Sequence, residues 1–157
     1  MKKLASLLLA MLMVAGIASA RDRISRDMSA LPAAAQQIFK THFGKTGVNH
    51  IKIDSKTFGG EEYDVILNNG TEIEFDQSGN IKEIDCGSRA IPDQLILKPI
   101  RDFVAKNFKG QKIVAMEVKR NRYEIELLSG QELEFDRAGK FLKVDNCPTP
   151  TTPVSHR

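Results

Sequence analysis

Tryptophan is missing from the 157 residues, cysteine occurs twice, and histidine three times. Each shortage excludes something. Cys86 and Cys147 stand far apart and form no Cys-x-x-Cys pair, so dithiol redox catalysis has no residues to run on. His42, His50 and His156 have no partner at metal-ligand spacing. There is no Gly-x-Ser-x-Gly elbow, and neither cysteine lies in a nucleophile motif, so the chain reads as a non-enzyme. The excess of basic over acidic residues is three charges, too few to suggest nucleic-acid binding. After Ile17 no apolar run approaches the length a membrane span needs.

What is present begins with an address. Lys2 and Lys3, the apolar stretch Leu4–Ile17 and the small-x-small triplet Ala18-Ser19-Ala20 read as a secretory signal peptide over residues 1–20. Arg21, not cysteine, follows the expected cut, so no lipid anchor is expected and the protein reads as soluble and periplasmic. Lys2 and Lys3 leave with the signal, and the remaining 137 residues carry 21 basic and 20 acidic groups, a net charge of +1.

The mature chain contains a repeat. Tyr63–Asp85 and Tyr123–Asp145 align over 23 positions with nine identities, and Ala30-Leu31-Pro32 matches Ala90-Ile91-Pro92 at the same offset. Two copies follow, 28–86 and 88–147, with 148–157 a Pro/Thr-rich tail expected to be disordered. Each copy opens with helical spacing: Ala35, Ile38, Phe39, His42 and Phe43 in the first, Ile100, Phe103, Val104, Asn107 and Phe108 in the second. The period then drops to two over Val48–Lys56, Tyr63–Asn68, Thr71–Asp76 and Asn80–Asp85. It does so again over Ile113–Lys119, Arg122–Leu128, Gln131–Asp136 and Lys140–Asp145. Short Gly-containing connections force antiparallel neighbours. The expected class is α+β: two tandem helix-plus-four-stranded antiparallel meanders in one continuous eight-stranded sheet, with the helices on one face.

Alternation assigns the two faces. Tyr63, Val65, Leu67, Ile73, Phe75, Lys82 and Ile84, with their counterparts Tyr123 to Val144, fall inward. The outward set is acidic and includes Asp64, Ile81 and Glu83. Glu72, Glu74, Glu124, Glu126, Glu132, Glu134 and Phe141 are the candidate partner-binding residues on it. Such a face serves either as a platform for a protein partner or as a solvated surface that discourages aggregation.

Two smaller constellations bear on ions and covalent links. Asp76, Ser78 and Asn80 place oxygens at alternate positions, a weak calcium pattern. An EF-hand would need glycine and glutamate where Ile81 and Gly87 stand, and a hairpin turn explains the same residues. No other cofactor is indicated. Cys86 and Cys147 would form a disulfide by default in an oxidising compartment. Equivalent ends of tandem four-stranded units lie about 19 Å apart, against the roughly 7 Å limit for a disulfide's Cα atoms. Both states stay open.

The stretches Gly70–Gly79 and Gly130–Gly139, each Gly-x-Glu-x-Glu-Phe-Asp-x-x-Gly, resemble the PepSY-like family of secreted bacterial proteins, as do the apolar positions after them and the signal peptide. The resemblance implies a fold similar to the β-lactamase inhibitor protein. It also implies a non-enzymatic periplasmic role, inhibiting or regulating a partner through a concave sheet surface. The expected function is therefore a soluble periplasmic binding protein acting on a periplasmic or envelope protein. The alternative is a calcium- or small-ligand-sensing protein that uses the same acidic face.

Overall fold

The computed structural model describes residues 23–56 and 60–145. The signal peptide, Cys147 and the Pro/Thr tail lie outside the described residues. Two α-helices, α1 (Ala33–His42) and α2 (Lys98–Asn107), accompany nine strands. The strands are β1 (Arg23–Ser25), β2 (Val48–Lys56), β3 (Gly60–Leu67), β4 (Glu72–Phe75), β5 (Ile81–Asp85), β6 (Ile113–Val118), β7 (Arg122–Leu127), β8 (Glu132–Asp136) and β9 (Phe141–Asp145). All are antiparallel and lie side by side in chain order, forming one open nine-stranded sheet with β1 and β9 at its edges.

This corrects the expected fold class. Over the described residues the protein is mostly β, an open nine-stranded sheet with only two ten-residue α-helices, rather than two helix-plus-four-strand repeats. Arg23-Ile24-Ser25 is too short and polar to show a period. It joins the sheet through the backbone edge of β2, pairing Arg23 with Ile53 and Ser25 with Ile51. In the middle, β5 pairs with β6 as any other neighbours do, Ile84 against Met116, so no seam divides the sheet.

Helix and turn chemistry places the two helices. Pro32 caps α1 and Pro99 sits in the first turn of α2, where a missing N–H costs nothing. Ala35 and Phe39 of α1 and Ile100 and Val104 of α2 are buried against the inward side chains Ile51, Val65, Ile73, Phe75, Ile84, Ile125, Leu133 and Phe135, in one hydrophobic core. The hairpins β4–β5 and β8–β9 turn through three-residue loops that end in Gly79 (φ 83°) and Gly139 (φ 81°). These loops lie directly under the helix starts. A Cβ on Gly79 would stand 2.7 Å from the Ala35 backbone nitrogen, and one on Gly139 would stand 3.0 Å from Pro99 Cβ.

The same two hairpins carry bulges, which overturn part of the assignment of faces. The pairing slips between Glu74 and Phe75, so that Phe75 faces Ile81, and between Glu134 and Phe135, so that Phe135 faces Phe141. A bulge sets two residues against one and reverses the parity beyond it. Ile81 and Phe141, expected outside, therefore pack on the core, while Lys82, expected inside, reaches the outer face. Phe141 stacks on Phe103 with ring centroids 4.4 Å apart and meets Phe135 edge-on at 5.7 Å.

Two stability predictions follow from this packing. Gly79→Ala is expected to cost about 1–3 kcal/mol in urea unfolding, since it adds a contact to an unfavourable φ. Gly70→Ala, with a similar φ but open space around it, should cost less, about 1 kcal/mol. Phe141→Ala should lose roughly 2–4 kcal/mol, as removal of a stacked core ring does; a surface-like change below about 0.5 kcal/mol would contradict its inward placement.

Candidate functional site

With apolar side chains drawn inward, the pleat leaves the alternate residues no direction but out. Register then aligns them across the sheet. Lys52 faces Asp64, Asp64 faces Glu74, Glu74 faces Glu83, and Glu83 faces Glu117. Glu117 faces Glu124, Glu124 faces Glu134, and Glu134 faces Lys143. Six successive strands thus each contribute a carboxylate to one row, with a lysine at either end. A second row beside it runs Ile66, Glu72, Asp85, Ala115, Glu126, Glu132 and Asp145. Neighbouring strands are about 4.8 Å apart, close enough for like charges placed opposite one another to destabilise the pairing.

Cations relieve one flank of this surface. Lys82, brought outward by the bulge, binds Glu62 at 2.9 Å and also Glu74. Burial pulls its ammonium down, but the bonds to Glu74 and Glu62 outweigh that and hold it above the usual lysine range. Glu62 in turn is held below the ordinary carboxylate value by its bonds to Lys56 and Lys82. Further along, Lys119 pairs with Glu117 and lies 3.6 Å from Glu124, and Arg122 meets Glu124 at 2.6 Å. Lys143 reaches Glu134 at 3.2 Å.

The other flank has no such relief. Glu72, Glu83, Asp85, Glu126 and Glu132 make no ion pair among the described residues. Burial raises the Asp64 carboxyl, and Glu74 and Asp54 raise it further by repulsion. Glu83 is raised in the same way, first by loss of hydration on the crowded face and then by Glu117 and Glu74. Two grooves run here. One, of about 320 Å³, lies among His50, Lys52, Asp64, Glu72, Glu74 and Asp85. The other, of about 210 Å³, lies among Glu117, Glu124, Glu126 and Glu132. Glu83 lines both and joins them into one acidic trough across the sheet. Such a trough can hold cationic groups.

Of the residues expected to bind a partner, Glu72, Glu74, Glu124, Glu126, Glu132 and Glu134 stand together on this face, and Phe141 does not. Glu117 and Asp85 were missed. Their outward parity was legible, but the β5–β6 register that sets them beside Glu83 and Ala115 was not. Asp76, Ser78 and Asn80 form a turn. One Asp76 oxygen accepts the Ser78 and Asn80 backbone N–H groups at 2.8 and 2.9 Å, and the other accepts the Asn80 amide at 2.9 Å. Asp136 repeats the arrangement with Ala138 and Lys140. Both Asp76 oxygens are thus engaged within the turn. Among the described residues, no three His, Cys, Asp or Glu side chains are placed to hold a metal ion. Cys86 is buried, and burial pushes its thiol pKa up. Its expected partner Cys147 is not described. His42 is half-buried with its ring edge-on to Phe43, and His50 hydrogen-bonds Asn49.

Residues 61–143 match the family model described as "Putative beta-lactamase-inhibitor-like, PepSY-like". A crystal structure of a periplasmic protein of unknown function from Bacteroides vulgatus is similar at 38% identity and a TM-score of 0.76, covering 80% of this chain and 100% of that one. A Bacteroides thetaiotaomicron protein, described as a "putative calcium-regulated periplasmic protein", is similar at 32% identity and 0.75, covering 80% and 97%. A further periplasmic protein from B. vulgatus is similar at 31% identity and 0.74, covering 83% and 100%. No curated protein matches. Among the described residues no helix is long and apolar enough to cross a membrane. With more than half its length matched by the family model, this chain belongs to the PepSY-like family.

Proposed function

We propose that the protein is a non-enzymatic periplasmic binding protein that takes a cationic surface of a protein partner into the acidic trough, and so inhibits or regulates that partner. The observation that carries this reading is the uncompensated flank. Glu72, Glu83, Asp85, Glu126 and Glu132 share one groove-lined surface, which Lys52 enters only at its end, and make no ion pair among the described residues. A surface kept acidic only to remain soluble would gain from the clasp seen along the Lys82–Arg122 flank; the open flank forgoes it. The family's inhibitor-like description and the periplasmic neighbours support the location and the class of role. Complementary charge of this kind sets partner choice and encounter rate more than raw affinity.

Calcium as the cation is the second reading, favoured by the description of the B. thetaiotaomicron neighbour. The carboxylates as placed offer no ready coordination group, so calcium would have to draw them together. A saturable calorimetric heat at millimolar calcium, lost in Glu83→Gln, would move this reading ahead of the first.

Binding and pH each give a test. Basic proteins captured from periplasmic extract by the wild-type chain should be released by added salt. They should fail to bind when Glu72, Glu83, Glu126 and Glu132 are together replaced by Gln. Undiminished capture by that variant would remove the trough as the contact surface. For pH, Asp64 and Glu83 hold their protons more tightly in the folded chain than in the unfolded one, so protonating them favours the fold. Glu62 has the opposite sign and loses its contribution as pH falls through its lowered value. The melting temperature should therefore rise as pH falls towards the unfolded carboxyl values, about pH 4, and fall below them. Glu83→Gln should raise it at neutral pH and flatten the rise.

A further inference from the structure

The helix side of the sheet carries a second cavity, which shares only Met116 with the lining of the acidic trough. It is a cleft of about 580 Å³, within the range of roughly 300–1,000 Å³ typical of small-molecule sites. The hairpin turn at Asp76–Asn80, the turn at Arg137 and the β6–β7 connection at Lys119 and Arg120 frame it. Its floor is a piece of the inner sheet face that the helices leave half-covered: Ile81, Val118 and Tyr123, with Met116 beneath and Leu95 at the side. Val118 and Tyr123 are direct cross-strand partners. The equivalent Tyr63 is 7% exposed, so the incomplete cover at Tyr123 is local to the cleft.

Its charges are one-sided. Lys82 and Lys119 line the cleft, but their ammonium groups are taken by Glu62, Glu74, Glu117 and Glu124 on the other face. Asp76 lines it too, with both oxygens engaged inside its own turn. Two arginines are left. Arg137 lies 4.7 Å over the Tyr123 ring and donates one N–H to the Lys119 carbonyl at 3.3 Å, which brings its guanidinium beside Arg120. Neither arginine makes an ion pair among the described residues. Arg137, exposed at the rim, thus touches ring and carbonyl while keeping donors free, a fork that suits a planar carboxylate.

We infer that this cleft binds an amphipathic carboxylate, its apolar body on the floor of Ile81, Val118 and Tyr123 and its carboxylate between Arg120 and Arg137. The forked donors of Arg137 match a planar carboxylate, and the apolar floor calls for more than the bare head group. The site is separate from the acidic trough and does not depend on the function proposed for it.

Decanoate, decanamide and acetate, titrated below micelle-forming concentrations and followed by amide NMR shifts, make the test. Decanoate should saturate, with its shifts confined to residues around Val118, Tyr123 and Arg137. Decanamide, which lacks the charge, and acetate, which lacks the chain, should each bind at least about tenfold more weakly, the scale of one lost charge-assisted contact. Arg120→Gln and Arg137→Gln should each weaken decanoate by a similar factor without altering the melting temperature, and Arg137→Lys should restore little. Lys106→Gln, on an exposed part of α2, should leave binding unchanged. Equal binding of decanamide and decanoate, shifts spread elsewhere on the molecule, or indifference to both arginine substitutions would overturn the inference.

Discussion

Everything on this molecule's surfaces depends on the register by which β5 pairs with β6. That ladder sets Ile84 beside Met116 in the core and, by the same pleat, Glu83 beside Glu117 outside. A shift of one residue would send the carboxylates into the interior and the apolar side chains into water, so the buried Ile84 and Met116 enforce the acidic contact next to them. The repulsion along the outer row is therefore the consequence of a pairing stabilised from the other face. Burial on the crowded face, and after it this repulsion, raises the carboxyl pKa values of Asp64 and Glu83.

The bulges decide where relief is available. At β5 the extra residue turns Lys82 outward, into reach of Glu62 and Glu74. At β9 the corresponding slip leaves Lys143 opposite Glu134 and sends Phe141 under α2, where it completes a cluster with Phe103 and Phe135. One backbone irregularity thus supplies a surface cation and a core ring by turns. Both slips lie in hairpins whose loops end in Gly79 and Gly139, with positive φ values, and the helix starts cover those loops. The clasped flank and the open flank of the acidic face are in this sense set by turns that carry none of its charge.

Much of this could be read from the residues, and the unread part has definite causes. The alternation in Tyr63–Leu67 and Tyr123–Leu127 is uninterrupted, so β3 and β7 and the facing of Asp64, Glu124 and Glu126 were plain. Alternation fails at a bulge, which changes parity without changing composition, and Lys82, Ile81 and Phe141 were assigned to the wrong faces for that reason. Three-residue β1 has no period to show, and its omission left the sheet one strand short. The Glu83–Glu117 contact joins strands separated in the chain by the whole of α2, and no local pattern encodes such a register. The cleft escaped for a related reason: Arg120, Arg137 and Ile81 come together only when three separate turns are assembled.

The near balance of total charge has a physical reading once both faces are known. Carboxylates occupy the outward positions because strands β3 to β8 place them there, and the lysines that neutralise some of them draw their stems from the same face or its rim. Committing Lys82 and Lys119 to that task removes them as counter-charges for anything on the helix side. The arginines left there, held by a ring and a carbonyl, are uncompensated for the same reason that Glu83 is: the nearest opposite charges are already engaged elsewhere. A sheet one layer thick keeps the two populations apart, since its buried core admits no ion pair through it. Among the described residues the sheet therefore carries unpaired negative charge on one side and unpaired positive charge on the other, while basic and acidic residues nearly balance over the sequence.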